Sequence, residues 1–180
     1  MDTIECIKTR RSRRKFLDKK VTDEILEKIL DSARYAPFGG PPIKDCQVWD
    51  FVVIKDKETI KELVLGYEDR DFLLKVPVVI ACCADKTKDQ DYKEWTITTS
   101  LAIENILLAA NSLGLGACFL TTFTKHEEHS EDREKMIKIL GLPDNIELIG
   151  MIALGYTDPS EILENKELRD LEEMTHYDRW

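Results

Sequence analysis

The sequence predicts an α+β fold in three layers, a central sheet with helices on both faces, built as one domain over residues 1–180. Three observations carry the prediction. Four short apolar runs, Val48–Ile54, Val78–Ala84, Ala117–Thr121 and Leu148–Leu154, have the length and make-up of buried strands. Segments with helical start and stop signals separate them, and strands alternating with helices imply a layered sheet. From Thr157 onward there is no core-like strand, only a charged tail dotted with Leu163, Leu168, Leu171, Met174, Tyr177 and Trp180. Such a tail becomes ordered by lying on another surface.

The elements follow in order. Asp2 with Glu5 three residues on begins a first helix, and Ile4 and Ile7 give it an apolar face. Thr22 caps a second, with Asp23 and Glu24 in the first turn and Val21 placed to staple onto Leu26. Ile25, Leu26, Ile29, Leu30 and Ala33 form its buried stripe, and Ala36-Pro37 ends it, because a residue before proline is pushed out of the helical region. A Gly/Pro-rich loop spans Phe38–Cys46. Asp56 caps a helix running to Leu65, with Gly66 as its stop. Trp95–Leu113 is apolar on most sides, which places it centrally, inside its own subunit or against a partner, and Gly114 ends it. Ser130 opens a helix to Leu140, closed by Gly141 with Pro143 beyond.

Composition narrows the function. With 43% hydrophobic and 34% charged residues the chain has a soluble globular balance. Its formal net charge of -9 argues against nucleic acid as the main partner. Asp2 and Glu5 stand where a signal peptide would need an apolar core, and Val76–Ala84 is too short and too interrupted by Pro77 to span a bilayer. The five cysteines, Cys6, Cys46, Cys82, Cys83 and Cys118, are odd in number and lack a C-x-x-C, which suits a reducing cytoplasm. Cys82-Cys83 alternates faces within one strand and reads as core.

Against this acidic background Thr9–Phe16 reads TRRSRRKF, with Arg10, Arg11, Arg13, Arg14 and Lys15 around Ser12. Arginine forks with a serine hydroxyl suit phosphate oxygens. A solvated basic stripe or a nucleic-acid patch is the competing reading. There is no Walker loop, and Gly114-Leu115-Gly116 lacks the third glycine of a Rossmann turn; a helix stop explains it better than the alternative, a tight turn beside a ligand. His126-Glu127-Glu128-His129 is one residue short of H-E-x-x-H and reads as a solvated loop, leaving no expected metal site. A phosphate cluster without an acid-base set fits an enzyme whose cofactor carries the chemistry.

The same residues resemble the nitroreductase family of FMN-dependent oxidoreductases. TRRSRRKF is similar to its R-R-S-x-R-x-F signature, and further matches follow in the same order. Tyr35-Ala36-Pro37 with Gly39-Gly40 is similar to its A-P-S-x-G loop, Gln47–Phe51 to Q-P-W-x-F, and Pro77–Ile80 to A-P-V-V-I. Asn105–Ala110 with Leu113–Cys118 resembles N-L-L-L-A-A…L-G-L-G-x-C, Ala153–Tyr156 matches A-L-G-Y, and His176–Trp180 resembles a frequent ending.

The resemblance implies a central mixed sheet and a homodimer with FMN at the subunit interface. The tail, 157–180, would be domain-swapped around the partner. It implies ping-pong hydride transfer: NAD(P)H, or another hydride donor, reduces the flavin and leaves, and a nitroaromatic, quinone or similar small aromatic acceptor then takes the electrons in the same pocket. Flavin-modifying or dehalogenating relatives on the same fold, and a non-catalytic FMN-binding or storage protein, are the alternatives.

By position, Arg10 and Ser12 would meet the FMN phosphate and ribityl region, and Arg14 the pyrimidine edge of the ring. Arg11 would contribute backbone, and Arg169 a second phosphate cation. Gly155 would allow close backbone approach to the phosphate. Pro37, Phe38 and Gly39 would line the ring from the partner, with Gln47 beside them, and the strand end at Thr121 and Thr122 would offer an N–H near flavin N5. The chain departs from the pattern where Phe38 replaces a serine and the loop to Trp49 is longer. Phe38 would narrow the space over the flavin or stack on a flat acceptor; packing with Ile43 inside the loop is the other reading.

Overall fold

The computed structural model describes residues 1–40, 46–64, 68–88, 94–122, 130–158, 160–161, 163 and 166–180. The helices are α1 (Thr3–Thr9), α2 (Asp23–Ala33), α3 (Lys57–Val64), α4 (Trp95–Ser112) and α5 (Ser130–Leu140); the strands are β1 (Trp49–Ile54), β2 (Val78–Asp85), β3 (Gly116–Thr121) and β4 (Ile146–Gly155). Short 3-10 helices occupy Glu68–Lys75, Lys86–Lys88 and Leu171–Met174.

Local signals set the helix ends. Asp2 Oδ1 accepts from the Glu5 N–H at 3.0 Å, Thr22 Oγ1 from the Ile25 N–H at 3.4 Å, and Asp56 Oδ2 from the Thr59 N–H at 2.8 Å. α4 and α5 close on Gly114 (φ 77°) and Gly141 (φ 63°). The Leu115 N–H reaches back to Ala110 O and the Leu142 N–H to Ile137 O, so each left-handed glycine satisfies the last turn's carbonyls. α2 ends before Ala36 because its last turn tightens: Arg34, Tyr35 and Ala36 each donate to the carbonyl three residues back. The expected stop at Leu65-Gly66 lies outside the described residues.

The strand order is β1-β2-β4-β3, and all these pairings are antiparallel. Among the described residues, the parallel part of the expected mixed sheet is a bridge between Ser12 and Ala117 at the β3 edge. Alternation along β2 builds two cores. Val78, Ile80, Cys82 and Ala84 pack with Leu26, Ile29 and Ala33 of α2 and Ala102, Ile106 and Ala110 of α4. Val79, Ala81 and Cys83 pack with Ile60, Leu63 and Val64 of α3 and Met136 of α5. These are the three layers. Burial pushes both neighbouring thiols up, that of Cys83 to about 12, as expected of inert core cysteines.

α4 buries only part of its apolar girth. Ile97 and Leu101 face outward and are exposed, as are Ile4 and Ile7 on α1, which packs against α4. The tail is barer still, with Leu168 78%, Leu171 74% and Tyr177 85% exposed. Among the described residues no helix is long and apolar enough to cross a membrane.

Candidate functional site

After α1 the basic segment crosses the open edge of the sheet. The Arg13 N–H donates to Ala117 O at 3.0 Å, beside the Ser12–Ala117 bridge. Further on, Phe16 bridges Thr157, the Leu17 N–H donates to Tyr156 O at 2.9 Å, and the Asp158 N–H to Lys15 O at 3.1 Å. The segment is thus stitched first to β3 and then to the chain leaving β4.

Two paired glycines make this crossing possible. Gly116 and Gly155 sit opposite each other at the ends of β3 and β4. A Cβ on Gly116 would stand 2.0 Å from Thr157 Cγ2 and 2.8 Å from Arg13 Cβ. One on Gly155 would stand 2.7 Å from Pro77 Cδ and 3.1 Å from Phe16 Cδ1. The chain's own residues therefore fill the space at Gly155, and Gly116 is more than the edge of a helix stop.

The arginines divide their work. Arg13 turns to the Glu161 carboxylate, Nε to Oε2 at 2.6 Å. Arg11 folds back onto the end of α1, donating to Lys8 O at 2.8 Å and Arg10 O at 3.0 Å, where the helix dipole favours a cation. Ser12 is bridged to Ala117, next to Cys118 of β3. Burial raises the Cys118 thiol above its ordinary value; the charge of Arg14, the Ser12 hydroxyl and Arg10 partly offset that, and the Glu161 charge adds to it. Arg10 also lies 3.7 Å from Glu104 of α4. Asp158, half-buried nearby, is held below the ordinary carboxylate value by hydrogen bonds from the Ser160 hydroxyl and N–H. At the far end of β3, Thr121 is exposed, while the buried Thr122 hydroxyl donates to Leu148 O at 3.0 Å and its N–H faces Ile149 O at 3.5 Å.

The other expected residues stand elsewhere. Pro37 and Gly39 are exposed beyond α2, and the half-buried Phe38 ring meets Trp49 of β1 edge-on, centroids 5.8 Å apart. Gln47 Nε2 donates to Arg34 O at 3.3 Å. A groove of about 740 Å³ opens here over Leu30, Arg34, Gln47, Trp49 and Phe51. β1 and β3 are opposite edges of the sheet, so this group and the arginine group do not meet within one chain. Arg169 lies in the tail, hydrogen-bonded to Glu173 O at 3.0 Å. Ile43 and the His126–His129 run lie outside the described residues. Phe38 packs against the α2–α4 core, so Phe38→Ser is expected to cost about 1–3 kcal/mol, below the range for a fully buried ring. Denaturant unfolding checks this; an unchanged midpoint would return the ring to the acceptor.

The geometry has close counterparts. A protein of Archaeoglobus fulgidus with the provisional name NADH dehydrogenase/NAD(P)H nitroreductase is 34% identical over 180 residues, covering 98% of this chain and 99% of that one. A solved structure from Parabacteroides distasonis with the same provisional name superposes with a TM-score of 0.84 at 29% identity, covering 99% of this chain and 98% of that one. An FMN-dependent nitroreductase from Clostridium difficile superposes with a TM-score of 0.80 at 28% identity, covering 99% and 100%. Fold and relatives together define an α+β oxidoreductase. The nitroreductase family model matches residues 7–70 and 65–156, and the chain belongs to that family.

Proposed function

We propose that two copies of this chain form a homodimer that binds FMN at the subunit interface and passes hydride from NAD(P)H to a nitroaromatic, quinone or similar acceptor. The observation that carries this reading is that the segment bearing Arg10, Ser12 and Arg14 is bonded along the β3 edge while Pro37, Phe38, Gly39 and Gln47 stand by β1, the opposite edge. Two copies related by a two-fold axis would bring one chain's arginines to the other's β1 edge. The uncovered apolar residues of α4, α1 and the tail supply a surface for such pairing.

The donor set suits the cofactor. Arg10 and Ser12 would hold the phosphate, Arg169 of the tail would add a cation to it, and Arg14 would face the pyrimidine edge. The backbone at Thr121 and Thr122 would border the ring. Bound FMN would supply two-electron hydride chemistry. The partner's apolar surface would keep water from the ring, and Phe38 with its neighbours would bound the space for donor and acceptor.

Arg14→Ala tests the ring contact. Loss of a charged hydrogen bond is worth about 1.5–3 kcal/mol, so the variant should show a lower flavin reduction potential and slower hydride acceptance with unchanged melting. An unchanged potential would take Arg14 out of the site. The reading as a whole is tested by releasing the cofactor with heat and identifying it by mass: FMN supports it, and FAD or no flavin contradicts it.

A further inference from the structure

The carboxylate nearest the basic segment comes from the far end of the sequence. Glu161 stands just past β4, at the start of the tail, and its side chain is only 9% exposed. Its Oε2 accepts from Arg13 Nε at 2.6 Å. Its Oε1 accepts from two consecutive backbone N–H groups, Arg14 at 3.1 Å and Lys15 at 3.2 Å. Arg13 donates a further bond to Asp158 O at 3.3 Å. Successive N–H groups beside a guanidinium make an anion-binding nest. It is the donor set a phosphate oxygen would choose, and the chain fills it with its own carboxylate.

We propose that Glu161 is a positioning residue for the cofactor phosphate: it locks Arg13 and the backbone of 14–15 so that Arg10, Ser12 and Arg14 present one outward phosphate site. The inference rests on the FMN reading above. Without Glu161, five cations between residues 10 and 15 would repel one another, and the nest at Arg13–Lys15 would offer phosphate a second seat. With it, Arg13 is neutralised in an ion pair, the backbone at 14–15 is held, and Ser12 stays bridged to Ala117 beside Cys118. Because Glu161 opens the tail, seating the tail and shaping the phosphate site become one event.

The test uses the full-length chain and two ligands: FMN, and riboflavin, which has the ring and no phosphate. Glu161→Gln and Glu161→Ala should weaken FMN binding by roughly ten- to a hundredfold. Riboflavin affinity should stay near that of the native chain, and Glu161→Asp, which keeps the charge, should recover part of the loss. Glu161→Gln preserves shape and is read if Glu161→Ala does not fold. Unchanged FMN affinity in Gln and Ala variants, an equal loss for both ligands, or Glu161→Asp as weak as Glu161→Ala would each overturn the positioning role. A native chain that binds FMN with variants behaving in any of these ways leaves the cofactor reading standing. A native chain that binds no FMN overturns both.

Discussion

Removing residues 166–180 is expected to convert the proposed dimer to monomer and to release FMN in the same step. The tail carries Leu168, Leu171, Met174, Tyr177 and Trp180, all exposed on the single chain. Burying a large apolar side chain contributes about 1.5–3 kcal/mol, so even after ordering costs the tail's apolar residues should dominate the assembly energy. Arg169 is removed with the tail, while Glu161 stays, so cofactor loss would not come from an emptied anion nest. Light scattering and the flavin absorption of the truncated protein read both effects together. A truncated chain that remains a yellow dimer would refute the embrace and leave the face of α4 and α1 as the sole candidate contact.

A methyl group at Gly116 should be the most damaging single change near the site. Its position 2.0 Å from Thr157 Cγ2 and 2.8 Å from Arg13 Cβ cannot be relieved at a flexible chain end, because Arg13 is bound to β3 by its backbone and Thr157 is bridged to Phe16. Overpacking of this kind costs about 1–3 kcal/mol, and relief requires the basic segment to lift off the sheet. Gly116→Ala should therefore lose both stability and FMN affinity. Gly141 provides the control: it stops α5 at φ 63°, where a side chain strains the backbone, and it lies away from the crossing. Gly141→Ala should destabilise while its folded fraction binds FMN normally. Equal FMN affinity in Gly116→Ala and native protein would mean that the crossing does not shape the site.

The parts legible in the sequence are those with local causes. Asp2, Thr22 and Asp56 cap helices through bonds spanning three residues, and Gly114 and Gly141 stop them through bonds just as short. The split of Cys82 and Cys83 between two cores follows from strand alternation alone. The strand order was not legible. β4 comes last in the chain yet sits between β2 and β3, paired on both sides, which also makes it longer than its apolar run suggests. The 3-10 helix Glu68–Lys75, which buries Leu73, has no period to announce it.

The site divides along the same line. A basic cluster was visible, but not which arginine is structural, because the Arg13 partner lies 148 residues away. Glu161 carried no motif, and only its charge within a loop after the last strand could have drawn attention to it. Among the described residues the Phe38 ring meets Trp49, a neighbour supplied by the sheet-edge strand β1 that loop spacing does not announce.

FMN-dependent oxidoreduction by this chain is tested most directly by an anaerobic visible-absorbance titration of the FMN-incubated, desalted protein. A retained flavin spectrum should bleach on addition of NADH or NADPH and return when a quinone or nitroaromatic is added. A protein that stays colourless after incubation, or a bound flavin that neither nicotinamide bleaches, would contradict it.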